Sequence, residues 1–420
     1  MATLLRGGGL SSNPLNASNW DVCTLNSWFG YRNIAYDYIN HKYYYADGYR
    51  GYYEINNGSI GSMIYSGRLS TSGNNYELRT MFCKLGYLVS VYNYNSYGYA
   101  RIYNLNTGVI KTFNQFAYGT NLAVDGLNYN SFVVGKYLIS FGSSYIYKFD
   151  LESIFTSGTF TGTKIADNDT GTYYYSGCSN INNGDDILAV AGYDERFDSG
   201  NSKIHMLILN INNWSINHDS IELSEDYSND EYPYCAEFVE GLIVSYVKNK
   251  FVASFATFDH SIYSVDGDYC YNYEIIYDIN SNKFTSENTQ TGEYSNSSTW
   301  YYGYIELNGK LYELMIPTAY TNFEASTDST GLMYEENQEC IRIAEVSDIG
   351  AKYTANNGNV DIGIQPPSFM RDFNALVEFS INGEMFIGSL AADRYDMIHY
   401  AACLPTINED GLHGFIKIKD

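Results

Sequence analysis

The clearest regularity along the chain is a pair of short apolar segments with alternating polar positions, joined by a two-residue turn. Residues 375–390 turn at Asn382-Gly383, and residues 302–316 turn at a second Asn-Gly, at 308–309. Alternation with a period of two is typical of a β-strand with one buried face. Asn-Gly supplies the two positive-φ residues of a type I′ turn. These segments therefore predict β-hairpins.

A third segment follows each hairpin and ends in a polar–aliphatic–polar pattern. The clearest copies are Tyr103-Asn104-Leu105-Asn106, Phe149-Asp150-Leu151-Glu152, Leu209-Asn210-Ile211-Asn212 and Tyr277-Asp278-Ile279-Asn280. Weaker copies lie at 53–56, 344–347 and 416–419. Asn and Asp side chains accept hydrogen bonds from backbone amides that follow them, and so favour turns. The pattern predicts a third strand that turns into a fourth.

The hairpin turn recurs seven times, near residues 41, 86, 135, 184, 241, 309 and 383, and the separations grow from 45 to 74 residues. Four short strands with their turns fill about 40–50 residues, the size of one blade of a β-propeller. We therefore predict an all-β fold, a seven-bladed β-propeller. The alternative is six blades plus an N-terminal β extension, because the first unit is the most divergent.

We expect one domain, because the chain has 6 prolines and no spacer of Gly and Ser or of like charges. The blades are predicted at about 28-66, 76-113, 130-165, 172-223, 234-287, 300-354 and 374-420 within a propeller of residues 28-420. The seventh unit stops at its third strand. We expect the N-terminal segment, residues 1-27, to supply the strand that closes the ring and covers the open sheet edge.

Two of the third-strand exits resemble the kelch class of propeller repeats, in which a Tyr-Asp pair is followed by an aromatic residue. Residues 277–284 begin with Tyr277-Asp278 and end with Phe284, and residues 209–214 end with Trp214. The double glycine typical of kelch repeats is absent. The resemblance implies the same propeller fold.

The longer units carry insertions between their second and third strands, at about 193–202, 248–269, 317–338 and 391–413. In an up-and-down sheet these connections share one face, and loops on a rigid scaffold are common recognition sites. Aromatic rings beside carboxylates suit both sugars and protein partners. The candidate binding residues are Tyr193, Phe197, Asp198, Tyr263, Asp266, Asp268, Tyr269, Tyr320, Phe323, Tyr334, Tyr395, His399 and Tyr400.

The charge of the chain narrows the range of partners. Its formal net charge is −24, with 48 acidic and 24 basic residues. Such a surface repels phosphate backbones and anionic lipids, so we expect no nucleic acid and no membrane insertion. Residues 1–19 do not resemble a signal peptide, and the seven dispersed cysteines predict free thiols in a reducing compartment. We therefore expect synthesis in a cytoplasm.

The sequence contains few candidate catalytic or metal-binding residues. None of the six histidines is spaced at i, i+2 or i, i+4, so we predict no metal and no cofactor. The predicted innermost strands carry only a few carboxylates, and we interpret these as polar positions facing a central channel. They are Asp37, Glu77, Glu237, Glu306 and Glu378. We therefore predict that the protein is not an enzyme.

These observations favour a structural and binding protein. An acidic chain rich in Tyr, Asn and Gly, with weakly similar repeats, resembles phage tail proteins. The resemblance implies a virion subunit, able to form an oligomer within a particle, that presents the loop face to a neighbouring subunit or a surface glycan receptor. One alternative is a cytosolic kelch-type adaptor for a protein partner. The second is a propeller enzyme acting on glycans.

Overall fold

The structure is a computed structural model of the 420-residue chain. It describes residues 20–26, 34–37, 40, 42–47, 51–56, 59–66, 77–94, 97–113, 131–142, 145–158, 160–168, 173–180, 184–194, 203–222, 237–259, 269–285, 289–295, 300–307, 309–317, 342–349, 374–379, 385–390 and 412–418.

The strands within these residues form seven antiparallel sheets. Sheet 1 contains β2 (Ile34–Asp37), β3 (Lys42–Asp47), β4 (Gly51–Asn56) and β5 (Ser59–Ser66). Sheet 2 contains β6 (Glu77–Lys84), β7 (Tyr87–Tyr94), β8 (Tyr97–Asn104) and β9 (Ile110–Phe113). Sheet 3 contains β10 (Ser131–Val134), β11 (Tyr137–Phe141), β12 (Tyr145–Asp150) and β13 (Thr163–Asp167). Sheet 4 contains β14 (Tyr173–Ser179), β15 (Ile187–Asp194), β16 (Lys203–Asn210) and β17 (Ser215–Glu222).

The remaining three sheets contain the longest strands and the two ends of the described chain. Sheet 5 contains β18 (Glu237–Val247), β19 (Lys250–Asp259), β20 (Tyr269–Asp278), β21 (Lys283–Phe284) and β22 (Thr289–Ser295). Sheet 6 contains β23 (Trp300–Leu307), β24 (Lys310–Pro317) and β25 (Arg342–Val346). Sheet 7 contains β26 (Asn374–Phe379), β27 (Met385–Leu390), β28 (Leu412–Ile418) and β1 (Trp20–Asn26).

The third-strand exits hold the two turns of a sheet together. Asn104 Oδ1 accepts the amide of Asn106 at 2.9 Å, and the amide of Leu105 donates to the carbonyl of Gly86 in the first turn at 3.0 Å. The same pair of contacts recurs in sheets 4 and 5, where the amides of Ile211 and Ile279 donate to the first turn. The side chain of the polar residue therefore stabilises the turn after the third strand. The backbone amide of the aliphatic residue binds this turn to the first turn of the same sheet.

In sheet 3 the same exit begins a helix instead of a turn. The helix α1 spans Leu151–Ser157, and the Asp150 side chain caps it by accepting the amide of Ser153 at 3.0 Å. Gly158 ends it in the left-handed conformation. Ile154 and Phe155 of α1 pack onto sheet 2, with the Phe155 and Tyr87 rings stacked 4.0 Å apart. We did not predict this helix.

The predicted turn near residue 241 is wrong. Gly241 lies inside β18, where the register with β19 shifts between Val239 and Gly241. The first turn of sheet 5 is instead at Lys248 and Asn249, both with positive φ. A β-bulge places one extra residue in a strand, and glycine is common there. The insertion expected at 248–269 is accordingly shorter, because β19 occupies residues 250–259 of it.

Each sheet packs on the next through its face, and the last packs on the first. The first strands of sheets 3, 4, 5, 6 and 7 contact one another in succession, as do those of sheets 1 and 2. Sheets 2 and 3 share an apolar core that includes Val89, Leu138 and Phe149. Strand β1 of sheet 7 contacts β5 of sheet 1. This closed succession of antiparallel sheets is a β-propeller, which confirms the predicted fold class.

The closing strand comes from the N-terminal segment. Strand β1 pairs antiparallel with β28 from Trp20↔Ile418 to Asn26↔Leu412. It occupies the outer edge of sheet 7, whose order is β1-β28-β27-β26.

Across the described part of the chain, no helix is both long and apolar enough to cross a membrane.

Candidate functional site

The first turns of several sheets lie together on one face of the ring. Lys84, at the end of β6, forms an ion pair with Asp185 in the first turn of sheet 4. Gly135, in the first turn of sheet 3, lies so close that an added Cβ would be 3.1 Å from the Asp185 carbonyl oxygen. In sheets 5 and 6 the Lys248 amide donates to Glu306 Oε2 at 2.9 Å. We call this side the turn face.

The connections between second and third strands therefore begin and end on the opposite side. They are short in the first three sheets, at residues 48–50, 95–96 and 142–144, and longer in the next four. We call these four segments the connection segments; they are residues 195–202, 260–268, 318–341 and 391–411. They belong to consecutive sheets, 4 to 7, so their anchoring strands are neighbours.

Most of the predicted binding residues lie in these connection segments, outside the described residues. They are Phe197, Asp198, Tyr263, Asp266, Asp268, Tyr320, Phe323, Tyr334, Tyr395, His399 and Tyr400. Tyr269 is the first residue of β20, at the connection end of sheet 5. Their role in binding stays a prediction.

Tyr193 does not fit the predicted binding role. It lies at the end of β15 and is only 6% exposed. Its ring belongs to the core that sheets 4 and 5 share, with Ile204 and Phe255. A tyrosine that packs between two sheets stabilises their contact and offers little area to a partner. We therefore remove Tyr193 from the candidate surface.

The connection segments are strongly acidic. Together they contain thirteen Asp and Glu residues and two arginines. The segment 318–341 alone has five acidic residues and no Lys or Arg. Carboxylates that lack nearby cations make a negative potential that extends beyond the surface and attracts positive partners.

The turn face contains several ion pairs between described residues. Lys136 Nζ lies 2.8 Å from Asp150 and 3.1 Å from Glu152. Lys310 Nζ lies 2.8 Å from Glu345. Although partial burial opposes it, the hydrogen bonds from Lys136 and from the Ser153 amide lower the pKa of Asp150. The connection segments, with thirteen acidic residues and two arginines, are more acidic for their length than the chain as a whole.

The interpretation of the inner-strand carboxylates as channel-facing residues is wrong for Asp37 and Glu306. Asp37 is buried and accepts hydrogen bonds from the amide and side chain of Asn40. Glu306 reaches sideways to the Lys248 amide in sheet 5. Side chains of a propeller strand point at the neighbouring sheets, because the sheets pack face to face. The side chains of Glu77, Glu237 and Glu378 lie outside the described residues.

The structure brings together two histidines that their spacing along the sequence did not predict to be a pair. His205 in β16 and His218 in β17 lie on neighbouring strands, and His205 Nδ1 is 2.8 Å from His218 Nε2. Their rings stack at 5.1 Å, and His205 is only 6% exposed. Burial lowers the pKa of His218, although Asp219 opposes the change. One ring donates this hydrogen bond to the other.

A second missed group is a buried glutamate between sheets 5 and 6. Glu274 in β20 has no exposed surface and accepts the hydroxyl of Tyr304 from β23. The backbone amide of Tyr304 donates to Ser245 Oγ in β18 at 3.0 Å. Burial raises the pKa of Glu274 to about 7, although the Tyr304 hydrogen bond lowers it. Alternation could have placed Glu274 on a buried face, but the sequence does not reveal its partner.

Comparisons with known proteins give structural similarity alone. No protein-family model and no curated protein matches the chain. Among solved structures, it is similar to the Dos1 propeller, at 8% identity and TM-score 0.42, over 96% of each chain. It is also similar to the WD40 domain of SCAP from fission yeast, at 10% identity and TM-score 0.39, over 93% of this chain and 84% of that one.

A third similar structure is the β-propeller domain of the Trilobed protease from Pyrococcus furiosus. The identity is 9% and the TM-score 0.36, over 77% of this chain and 80% of that one. At these values the likeness carries no function from one protein to another. The class of the protein, a β-propeller, follows from its own strand order and from the contacts between its sheets.

Proposed function

We propose that the protein is a binding protein whose recognition surface is built by the connection segments of sheets 4 to 7. The observation that carries the proposal is the position of these segments. All four join a second strand to a third strand, and the sheets that anchor them are consecutive. A rigid ring that holds several loops side by side is a common basis for recognition.

The partner that suits this surface best is a protein with a basic surface. The connection segments contain thirteen acidic residues and two arginines, whereas several carboxylates of the turn face are in ion pairs with lysines. Aromatic residues among the carboxylates, such as Tyr263, Tyr320 and Tyr395, add contact area at low entropic cost. Charge attraction would chiefly raise the association rate, and the aromatic contacts would slow dissociation.

The proposal is tested with two matched sets of charge-neutralising substitutions. The first set is Glu335→Gln, Glu336→Gln and Glu339→Gln in the segment 318–341. The control set is Glu54→Gln, Glu152→Gln and Glu345→Gln, which changes the net charge equally within the described sheets. Binding of a decalysine peptide is measured by calorimetry at low and at physiological salt.

We expect the first set to weaken decalysine binding about tenfold and the control set to change it less than twofold. Equal weakening by both sets would contradict the proposal, because it would mean that only the net charge of −24 matters. A glycan array run in parallel covers the alternative ligand. If the wild-type protein binds a glycan but not decalysine, and Tyr263→Ala, Tyr320→Ala and Tyr395→Ala abolish glycan binding, the partner is a sugar rather than a basic protein.

We further propose that the natural partner is a neighbouring subunit in the tail of a phage-like particle. The support is compositional: 45 tyrosines, 37 glycines and an excess of acid in a chain with divergent repeats. Immunogold electron microscopy of particles from a lysate of the producing cells tests this location. Labelled particles are expected. Label confined to unassembled protein would contradict the virion and favour a cytosolic adaptor.

A further inference from the structure

The contact between sheets 5 and 6 depends on one tyrosine that forms hydrogen bonds with two strands. Tyr304 is 1% exposed, and its amide donates to Ser245 Oγ while its hydroxyl donates to Glu274. Around these bonds lies an apolar core that includes Val252 and Leu311. Because the bonds sit inside an apolar contact, water does not replace them while the sheets stay packed.

The Glu274 carboxyl is incompletely satisfied in this contact. Among the described residues, its Oε2 atom is buried without a hydrogen-bond partner, as is Oγ of Ser254, its register partner in β19. A neutral carboxylic acid tolerates such a site better than a carboxylate, which loses its hydration without gaining donors. Burial accordingly raises the pKa of this carboxyl to about 7.

No described cation compensates the carboxylate. The residues next to Glu274 are Ser245 in β18, Ser254 in β19 and Tyr304 in β23, and its register partner in β22 is Thr289. Of these only Tyr304 can titrate. Glu306 lies two residues beyond Tyr304 in β23, but it accepts the Lys248 amide at the turn face. An ionised Glu274 would therefore face apolar groups and hydroxyls, with no positive charge among the described residues to compensate it.

We propose that the contact between sheets 5 and 6 is a proton-sensitive seam, in which loss of the Glu274 proton weakens the packing of β23 against β18 and β20. The seam separates the strands that anchor the connection segments 260–268 and 318–341. Weaker packing lets these anchors move relative to each other. The behaviour would hold whether or not the connection segments bind a partner.

The direction of the pH effect follows from the two pKa values. The carboxyl holds its proton to about pH 7 in the closed seam and to about pH 4.5 when it is opened to water. The closed form thus binds more protons between these values, and the seam loses stability as pH rises through this window. The opening equilibrium is expected to increase on the order of ten- to a hundredfold between pH 5 and pH 8.5.

Amide hydrogen exchange of the full chain, read by mass spectrometry on peptides covering β20 and β23, measures this opening. Rates are divided by the intrinsic exchange rate at each pH. We expect protection to fall with pH in the wild-type protein and to stay constant in Glu274→Gln, which is neutral at all these values. Glu306→Gln is the control and should retain the wild-type pH dependence.

A constant protection in the wild-type protein, or the same pH dependence in Glu274→Gln, would overturn the seam. A second variant covers the case in which Glu274→Gln does not fold. In Tyr304→Phe the carboxylate loses the hydroxyl that favours it, so the fall in protection should continue to a higher pH before it levels off. A fall in Tyr304→Phe that levels off at the wild-type pH would also overturn the proposal.

Discussion

Some side-chain hydrogen bonds of this protein join residues close in the sequence, and others join different strands. The first kind could be predicted, whereas the second could not. The exits at Asn104, Asn210 and Asp278 were predicted as turns, and each side chain does accept a following backbone amide. Such bonds join residues two or three apart, so the sequence contains all of the information. The His205–His218 and Glu274–Tyr304 pairs join different strands or sheets, and spacing along the chain does not reveal them.

Gly135 is expected to be the least replaceable of the turn glycines. Its φ is +54°, and an added Cβ would lie 2.7 Å from Ile211 Cδ1 and 3.1 Å from the Asp185 carbonyl oxygen. Gly309 occupies the corresponding turn of sheet 6 with φ +73°, but nothing lies within 4 Å of its added Cβ. Both alanine variants adopt a strained backbone conformation, and only Gly135→Ala also creates a clash.

We therefore expect Gly135→Ala to lower the free energy of unfolding by about 2–4 kcal/mol and Gly309→Ala by about 1 kcal/mol. Urea unfolding followed by tryptophan fluorescence measures both. Equal losses would mean that the first turns of sheets 3 and 4 are not packed as closely as described.

At the scale of the elements, the strands were easier to predict than the exceptions to their pattern. Turns near residues 41, 86, 135, 184 and 309 fall between first and second strands as expected, because alternation and turn residues are local signals. The turn predicted near residue 241 is wrong, because glycine is common both in turns and at β-bulges, and Gly241 lies at a bulge in β18. The helix α1 could have been found: Asp150 is a typical N-cap and Gly158 a typical C-cap.

The stability of α1 is expected to depend on pH through Asp150. Its folded pKa is lowered, so its contribution is present above the ordinary value near 3.8 and is lost as pH falls through the folded value. Asp150→Ala should cost about 1 kcal/mol at pH 7 and less at pH 2. Asp150→Asn keeps a capping oxygen and loses only the Lys136 ion pair, so its cost should be smaller.

Urea unfolding at pH 7 and at pH 2, with fluorescence detection, compares these two variants with the wild-type protein. A cost of Asp150→Ala that is the same at both pH values would contradict an ionised cap. Equal costs of the two variants at pH 7 would show that the ion pair, rather than the cap, stabilises this end of α1.

For the whole molecule, the main prediction concerns closure of the ring. Cys23 of β1 and Phe415 of β28 are partners in the strand register. Partners in an antiparallel pair lie about 4.5–5.5 Å apart at Cα, a separation that a disulfide spans. We expect Phe415→Cys to form a disulfide with Cys23 on oxidation and to raise the unfolding free energy by about 3–5 kcal/mol.

The matched control is Ile416→Cys, whose register partner is Val22 and which should leave Cys23 reduced. Peptide mapping by mass spectrometry under non-reducing conditions identifies the linked residues, and calorimetry gives the change in melting temperature. Crosslinking of Ile416→Cys at the same yield would show that β1 does not keep the described register.

The pairing of β1 with β28 also has a consequence for synthesis of the protein. Residues 20–26 leave the ribosome early, whereas their hydrogen-bond partners at 412–418 are translated almost 400 residues later. At about 5–20 residues per second, the first strand waits roughly 20 to 80 seconds with its amides and carbonyls exposed. During that interval it is a target for chaperones or for residues 412–418 of a chain completed on a neighbouring ribosome, so slow translation should favour chain-swapped dimers.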